Sequence, residues 1–158
     1  MAEKYGYKIR EAHPTECAAL TSLALNSKAF WGYSDDFIRD CEAVLTISPD
    51  MMEKWHHGVA EVDGEAAGFY FLEVDGARAE LELLYISPAF MGQGIGKALF
   101  QVAENTAREL NCSALRIEAD PNAMAFYQRM GARQTGWCRS DVRDARELPL
   151  MMKELSRA

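Results

Sequence analysis

The segment Leu83-Leu-Tyr-Ile-Ser-Pro-Ala-Phe-Met-Gly-Gln-Gly-Ile-Gly-Lys97 runs from an apolar stretch into a glycine-rich loop that opens an amphipathic pattern. Gly92, Gly94 and Gly96 let a backbone come close to a ligand, and the first turn of a helix carries N–H groups without acceptors at its positive dipole end. That is chemistry for holding phosphate. Spacing narrows the kind. A mononucleotide loop needs Gly-x4-Gly-Lys-Ser/Thr, and Met91 and Ala98 stand at two required positions. The dinucleotide pattern Gly-x-Gly-x-x-Gly fails as well, because Gly92, Gly94 and Gly96 recur every second residue and the preceding strands read as antiparallel. The remaining alternative is a glycine-rich connector with no ligand.

The elements around this loop follow from periodicity. A short strand is predicted at Tyr7 to Ile9, then a helix entered at Pro14-Thr15 with its body from Cys17 to Ala29. Phe30-Trp-Gly-Tyr33 breaks it, and Ser34 or Asp35 caps a second helix through Leu45. From Gly58 the period becomes two. Val59 to Val62, Ala67 to Val74 and Ala79 to Ile86, joined by Asp63-Gly64 and Asp75-Gly76 turns, read as an antiparallel meander that Pro88 ends. Ile95, Leu99, Val102, Ala103 and Leu110 make one stripe of a long helix ending near Asn111. Ala114 to Ala119 reads as a strand, and Asp120-Pro-Asn122 as a turn and cap. A short helix from Ala123 to Met130 is stopped by Gly131, and final strands at Ala132 to Trp137 and Leu148 to Leu155 flank a charged loop, Arg139 to Glu147.

Composition limits the function classes. A chain of 158 residues, 49% hydrophobic and 26% charged, reads as one domain, 1–158, with a sizeable core. A net charge of −7 argues against nucleic acid as the main partner. No apolar run reaches the roughly 18 residues of a membrane span and the N-terminus carries no signal-peptide pattern, so no membrane association and a cytoplasmic location are expected. Cys17, Cys41, Cys112 and Cys138 form no CxxC pair, and they read as reduced, packed thiols. His56 and His57 lack a third ligand at metal spacing, so no metal is expected.

At the loop Met91-Gly-Gln-Gly-Ile-Gly96 the chain resembles the GNAT superfamily of N-acetyltransferases, whose coenzyme loop has Arg/Gln-x-x-Gly-x-Gly/Ala at the start of a helix. Met91 replaces the usual Arg or Gln. A second segment, Asp120-Pro-Asn-Ala-Met-Ala-Phe-Tyr127 with Gly131 beyond it, is similar to the family's Asn-x-x-Ala-x-x-Phe/Leu-Tyr, with Asp120 at the usual Asn position. The resemblance implies an α/β (α+β) fold with a mixed, mostly antiparallel sheet and helices on both faces. It implies acetyl-CoA as co-substrate, held by Met91, Gly92, Gln93, Gly94, Ile95, Gly96 and Lys97, by the backbone of Leu84, Tyr85 and Ile86, and by Phe126. Asn122 is assigned the pantetheine contact in place of Asp120, and is equally a plain helix cap.

The implied chemistry is attack of a neutral primary amine on a thioester in a ternary complex, with a thiolate leaving. Backbone N–H groups near Leu84 to Ile86 meet the developing oxyanion. Tyr127 matches the family's general acid, with a core tyrosine as the alternative. Glu80 and Glu82, about 6.6 Å apart and expected on the side of the strand that carries Leu84 and Ile86, are candidates to deprotonate the amine. The alternatives are solvated carboxylates or a cation-binding pair. Trp31 and Tyr33 are expected to contact the acceptor, or else to staple the first two helices. A small-molecule amine is favoured, with a protein or peptide amine, or a coenzyme A-binding sensor without turnover, as alternatives. Family members are often dimers, so a homodimer is a further expectation.

Overall fold

The computed structural model describes residues 6–143 and 146–155. Residues 1–5, 144–145 and 156–158, and with them the extreme N-terminus and part of the charged loop, lie outside the described residues. Strand β1 (Lys8–Arg10) leads through a 3-10 turn at Pro14–Glu16 into helix α1 (Cys17–Ala29). Ser34 accepts from the Phe37 N–H at 3.1 Å and starts α2 (Asp35–Leu45). Helix α3 (Pro49–Lys54), capped by Ser48, was not expected. Its six residues are too few for helical periodicity to show, although Ser48-Pro49-Asp50 is a helix-start signal.

The meander follows as β2 (His56–Val62), β3 (Glu65–Asp75) and β4 (Arg78–Ile86). Then come α4 (Ile95–Glu109), β5 (Ala114–Glu118), α5 (Met124–Arg129), β6 (Arg133–Arg139) and β7 (Glu147–Glu154). The seven strands form one sheet in the order β1-β2-β3-β4-β5-β7-β6. All neighbours are antiparallel except β4 and β5. Two apolar layers cover it. Leu20, Leu23 and Ala24 of α1 and Phe37, Cys41 and Leu45 of α2 pack on Val59, Phe69 and Phe71. Ile95, Leu99, Phe100 and Ala103 of α4 pack with Tyr70, Leu72, Leu81, Leu115 and Ile117 on the other face, which also holds Tyr127. The long stripe read for α4 is therefore its core face.

The parallel pair is short. Only Arg78–Glu80 pairs with Ala114–Arg116, although both strands continue. Just beyond, β4 carries a bulge: Leu72 sits opposite Leu81 and Phe71 opposite Leu83, which leaves Glu82 as the extra residue. A bulge bends its strand and increases local twist. Past Glu80 and Arg116 the two edges face each other across a cleft.

The bulge corrects one expectation. Ala79 and Leu81 belong to the α4-side layer, and so do Leu84 and Ile86, whereas Leu83 and Tyr85 pack on the α1–α2 side. Glu80 therefore shares a face with Leu83 and Tyr85, not with Leu84 and Ile86, and the extra residue Glu82 turns to the same side, towards Glu73 and Glu80. The two-residue alternation used to place it breaks at the extra residue.

Candidate active site

The cleft is a cavity of about 830 Å³ whose wall passes from the loop before α4, along the β4 edge, to the underside of α1 and α2. At the α4 end Gly92 and Gly94 adopt left-handed φ values of 80° and 82°, and a Cβ added at either would meet nothing within 4 Å. The helix's first bond is Ala98 N–H to the Gly94 carbonyl at 3.1 Å. The N–H groups of Ile95, Gly96 and Lys97 thus precede any acceptor in their own helix. At Gly96 a Cβ would meet the Phe126 ring at 3.4 Å, an ordinary van der Waals distance, so this position packs beside α5 without requiring glycine. Met91, Gly92, Gly94, Ile95, Gly96 and Lys97 line the cavity, while Gln93 is exposed and lies off its wall. This cradle fits a pyrophosphate, since its donors come from the backbone and the space over them is open.

Tyr127 belongs to the same wall. It is buried, with its ring 6.1 Å from Phe100 and 5.2 Å from Phe126, and it lines the cavity. Burial first, then the charge of Asp120, raises its pKa, so it stays protonated and able to donate. Leu84, Tyr85 and Ile86 line the same wall. Tyr85 pairs with Phe69 of β3, and its ring packs 6.2 Å from that of Phe69. No β5 partner pairs with Leu84 to Ile86, so every second residue of this edge turns its backbone groups into the cleft.

On the α1–α2 side of the sheet Glu73, Glu80, Glu82 and Glu118 lie close together, and Arg116 pairs with two of them. The Arg116 guanidinium donates to Glu80 at 2.9 and 3.1 Å and to Glu118 at 2.6 Å. Burial raises the Glu80 pKa against the pull of Arg116. Glu82 has no such cation. Burial, followed by the charges of Glu80, Glu73 and Glu118, pushes it up to about 7. A carboxyl that changes protonation near neutrality, on the wall of a cavity, suits proton abstraction.

A second polar node lies where α1, the α1–α2 connector, the end of β5 and the β6–β7 loop meet. Asp120 accepts from Lys28 Nζ at 2.8 Å, from the Tyr33 hydroxyl at 3.0 Å and from Arg146 at 3.4 Å. It also caps the turn at Pro121–Ala123 through the Asn122 N–H at 2.8 Å. Burial opposes its ionisation, but Lys28 and these hydrogen bonds hold it below the usual carboxylate range. Arg146 donates to the Tyr33 hydroxyl at 2.8 Å and stacks over the rings of Tyr33 and Phe37.

This node alters the places of three expected site residues. Tyr33 turns its hydroxyl into the node and lies off the cavity wall, 4.6 Å from the Phe37 ring. Trp31, 44% exposed, does line the cavity. Asn122 directs its amide to Asp120 at 3.1 Å and to Tyr33 at 3.2 Å, so these donors are engaged within the protein. Lys28, Arg116, Glu118 and Arg146 were not singled out from the sequence. For Lys28 a signal existed: Leu20, Leu23, Ala24, Ser27 and Lys28 form the buried stripe of α1, and a lysine on that stripe needs a buried partner. His57 accepts from the Ala12 N–H at 3.1 Å and stacks on Phe71, which ties β2 to the chain before α1. All four cysteines are free, with Cys41 and Cys112 buried.

Residues 16–132 match the sequence model of the acetyltransferase (GNAT) family. A 5-NmdU N-acetyltransferase from Pseudomonas phage PaMx11 is 30% identical over 125 residues, covering 78% of this chain and 84% of the relative. An uncharacterized N-acetyltransferase of Lactobacillus delbrueckii subsp. lactis is 38% identical over 82 residues, 45% of this chain, and the chain spans 47% of that relative's length. In fold, the chain matches the PaiA N-acetyltransferase of Thermoplasma acidophilum, crystallised in complex with coenzyme A. The TM-score is 0.75 over 94% of this chain and 98% of that one, at 21% identity. The chain belongs to the GNAT acetyltransferase family. Among the described residues no helix is long and apolar enough to cross a membrane.

Proposed function

We propose that the protein transfers the acetyl group of acetyl-CoA to a primary amine by direct attack within a ternary complex, with a small-molecule amine as acceptor. The observation that carries this reading is one continuous cavity whose wall holds the glycine cradle before α4, the carboxylates under α1 and α2, and Tyr127. Thioester transfer needs all three. The backbone N–H groups of Gly92 to Lys97 hold the pyrophosphate, and Phe126 packs beside them. The free backbone edge of Leu84 to Ile86 holds the pantetheine arm and meets the carbonyl oxygen as charge develops on it.

Glu82, ionised above about pH 7, takes the proton of the acceptor ammonium directly or through a water. The neutral amine attacks the thioester carbonyl, the C–N bond forms and the C–S bond breaks. Tyr127 gives its proton to the departing sulfur, and the second proton of the attacking nitrogen returns to the Tyr127 oxygen through water. Glu80, tied to Arg116, keeps the negative surroundings that hold Glu82 partly protonated near neutrality. Trp31 stands at the acceptor side. Relatives named as a thialysine N-epsilon-acetyltransferase of Bos taurus and an aminoglycoside N(6')-acetyltransferase of Stenotrophomonas maltophilia favour a small amine. A peptide amine is the second reading, favoured by Phe30, Trp31 and Val44, which stay exposed.

The test is thiol release from acetyl-CoA over a panel of amines and peptides, with Tyr127→Phe beside the parent protein. Expected is a fall in kcat of about 10²-fold or more, with coenzyme affinity kept. Coenzyme binding without release for any amine would support a sensor, and release unaffected by Tyr127→Phe would remove that residue from the chemistry.

A further inference from the structure

The node around Asp120 holds two cations against one carboxylate. Lys28 and Arg146 both reach Asp120 Oδ2, at 2.8 and 3.4 Å, and all three side chains line the cavity. They are largely withdrawn from solvent, with side-chain exposures of 10% for Lys28, 17% for Arg146 and 13% for Asp120. The neighbouring charges among the described residues do not restore balance. Asp40 is taken by Arg143 at 2.7 Å, and Asp141, also on the wall, is exposed. Tyr33 and Asn122 add neutral groups only. Among the described residues one positive charge therefore remains unbalanced in a poorly hydrated corner, where an anion is worth more than at an open surface.

The position of that charge is informative. Lys28 belongs to α1, and Arg146 stacks over Phe37 of α2, so both cations stand on the acceptor side of Asp120. The phosphate cradle is built elsewhere, at the start of α4. The same cavity offers the Glu80, Glu82 and Glu118 carboxylates to an ammonium group. A cavity with an anionic wall for the amine and a cationic corner beside it is complementary to a molecule carrying both charges.

We infer that the acceptor carries an anionic oxygen group, a carboxylate or a phosphate, near its reacting amine, and that Lys28 and Arg146 bind that group. This deepens the acyl-transfer reading and rests on it. Lys28 reaches the anion as a point charge, while Arg146, held by its stack on Tyr33 and Phe37, offers further N–H donors from a fixed plane. Asp120 keeps both cations in place and cancels only one of them.

The experiment compares matched acceptors: phenylalanine against phenylalaninamide, and phosphoethanolamine against ethanolamine. Thiol release from acetyl-CoA and calorimetric binding to the coenzyme A-loaded protein are measured for each. The parent protein should favour the anionic member of at least one pair by about tenfold or more in kcat/KM or affinity. Which pair shows it distinguishes carboxylate from phosphate. Lys28→Met leaves Asp120 paired with Arg146 and the node neutral, so it should fold, and the anionic-to-neutral ratio should collapse towards one. Arg146→Gln should do the same.

A ratio near or below one in the parent protein overturns the inference. So does a preference that survives both substitutions. If no amine is acetylated but coenzyme A still binds, the transfer reading fails, and the calorimetric ratio decides the anion site by itself.

Discussion

The two ends of the cavity are built in different ways. The coenzyme end is backbone. Gly92 to Lys97 are consecutive, their donors are main-chain N–H groups, and a single helix start orients them. The end proposed for the acceptor is side chain. Lys28, Tyr33, Asp120 and Arg146 come from four places in the chain, and the hydrogen bonds of Tyr33 reach 87 residues to Asp120 and 113 to Arg146. A site made of consecutive backbone is insensitive to most side-chain changes and intolerant of conformational ones. A site assembled from distant side chains behaves in the opposite way.

That contrast can be broken by experiment, and the largest effect is expected at the backbone end. Gly94→Val puts a β-branched residue at φ 82°, which only glycine holds without strain, and its side chain enters the space left for phosphate. Coenzyme A affinity should fall at least about 100-fold by calorimetry, with a lower melting temperature. Unchanged affinity would mean that the loop is only a connector.

Next in size is Glu82→Gln, which should lower kcat by about 10- to 100-fold while coenzyme affinity is kept. In the parent protein kcat/KM should rise with pH through about 7, because the base acts only when ionised, and that limb should vanish in the variant. Stability should move the other way. Glu82 binds its proton more tightly folded than unfolded, so its contribution is present below its ordinary carboxylate pKa and fades as pH rises through about 7. The change is on the order of 1 kcal/mol once screening of a half-exposed group is allowed for, and Glu82→Gln should flatten that part of a melting-temperature profile. A pH–rate profile identical in the two proteins would exclude Glu82 as the base.

The smallest effect is expected at Met91. Substitution by Gln adds one side-chain donor to a cradle made of backbone, so coenzyme A affinity should change by less than about tenfold. A larger gain would show that side chains contribute more at this end than its geometry implies.

The legibility of the molecule follows the same division. The meander was readable because Asp63-Gly64 and Asp75-Gly76 turns separate runs of period two, and α4 because its stripe spans four turns. Helix α3 was missed for its shortness. The facing of Glu80 was misjudged because nothing in Leu81-Glu-Leu83 announces a bulge, which depends on how β3 and β4 align across their whole length. Trp31 was placed on the cavity wall, and Tyr33 was not, since its hydroxyl found Asp120 and Arg146.

The sequence by itself determined the fold class and the glycine-rich start of α4, because each depends on local conformation and short-range periodicity. Only the tertiary structure decided which charges meet. The pairing of Glu82 with three other carboxylates, and of Lys28 and Arg146 with a single Asp120, is set by strand order, a bulge and the closing of two loops. The physical reason is that Coulombic and desolvation energies depend on distance through space, which chain order does not specify.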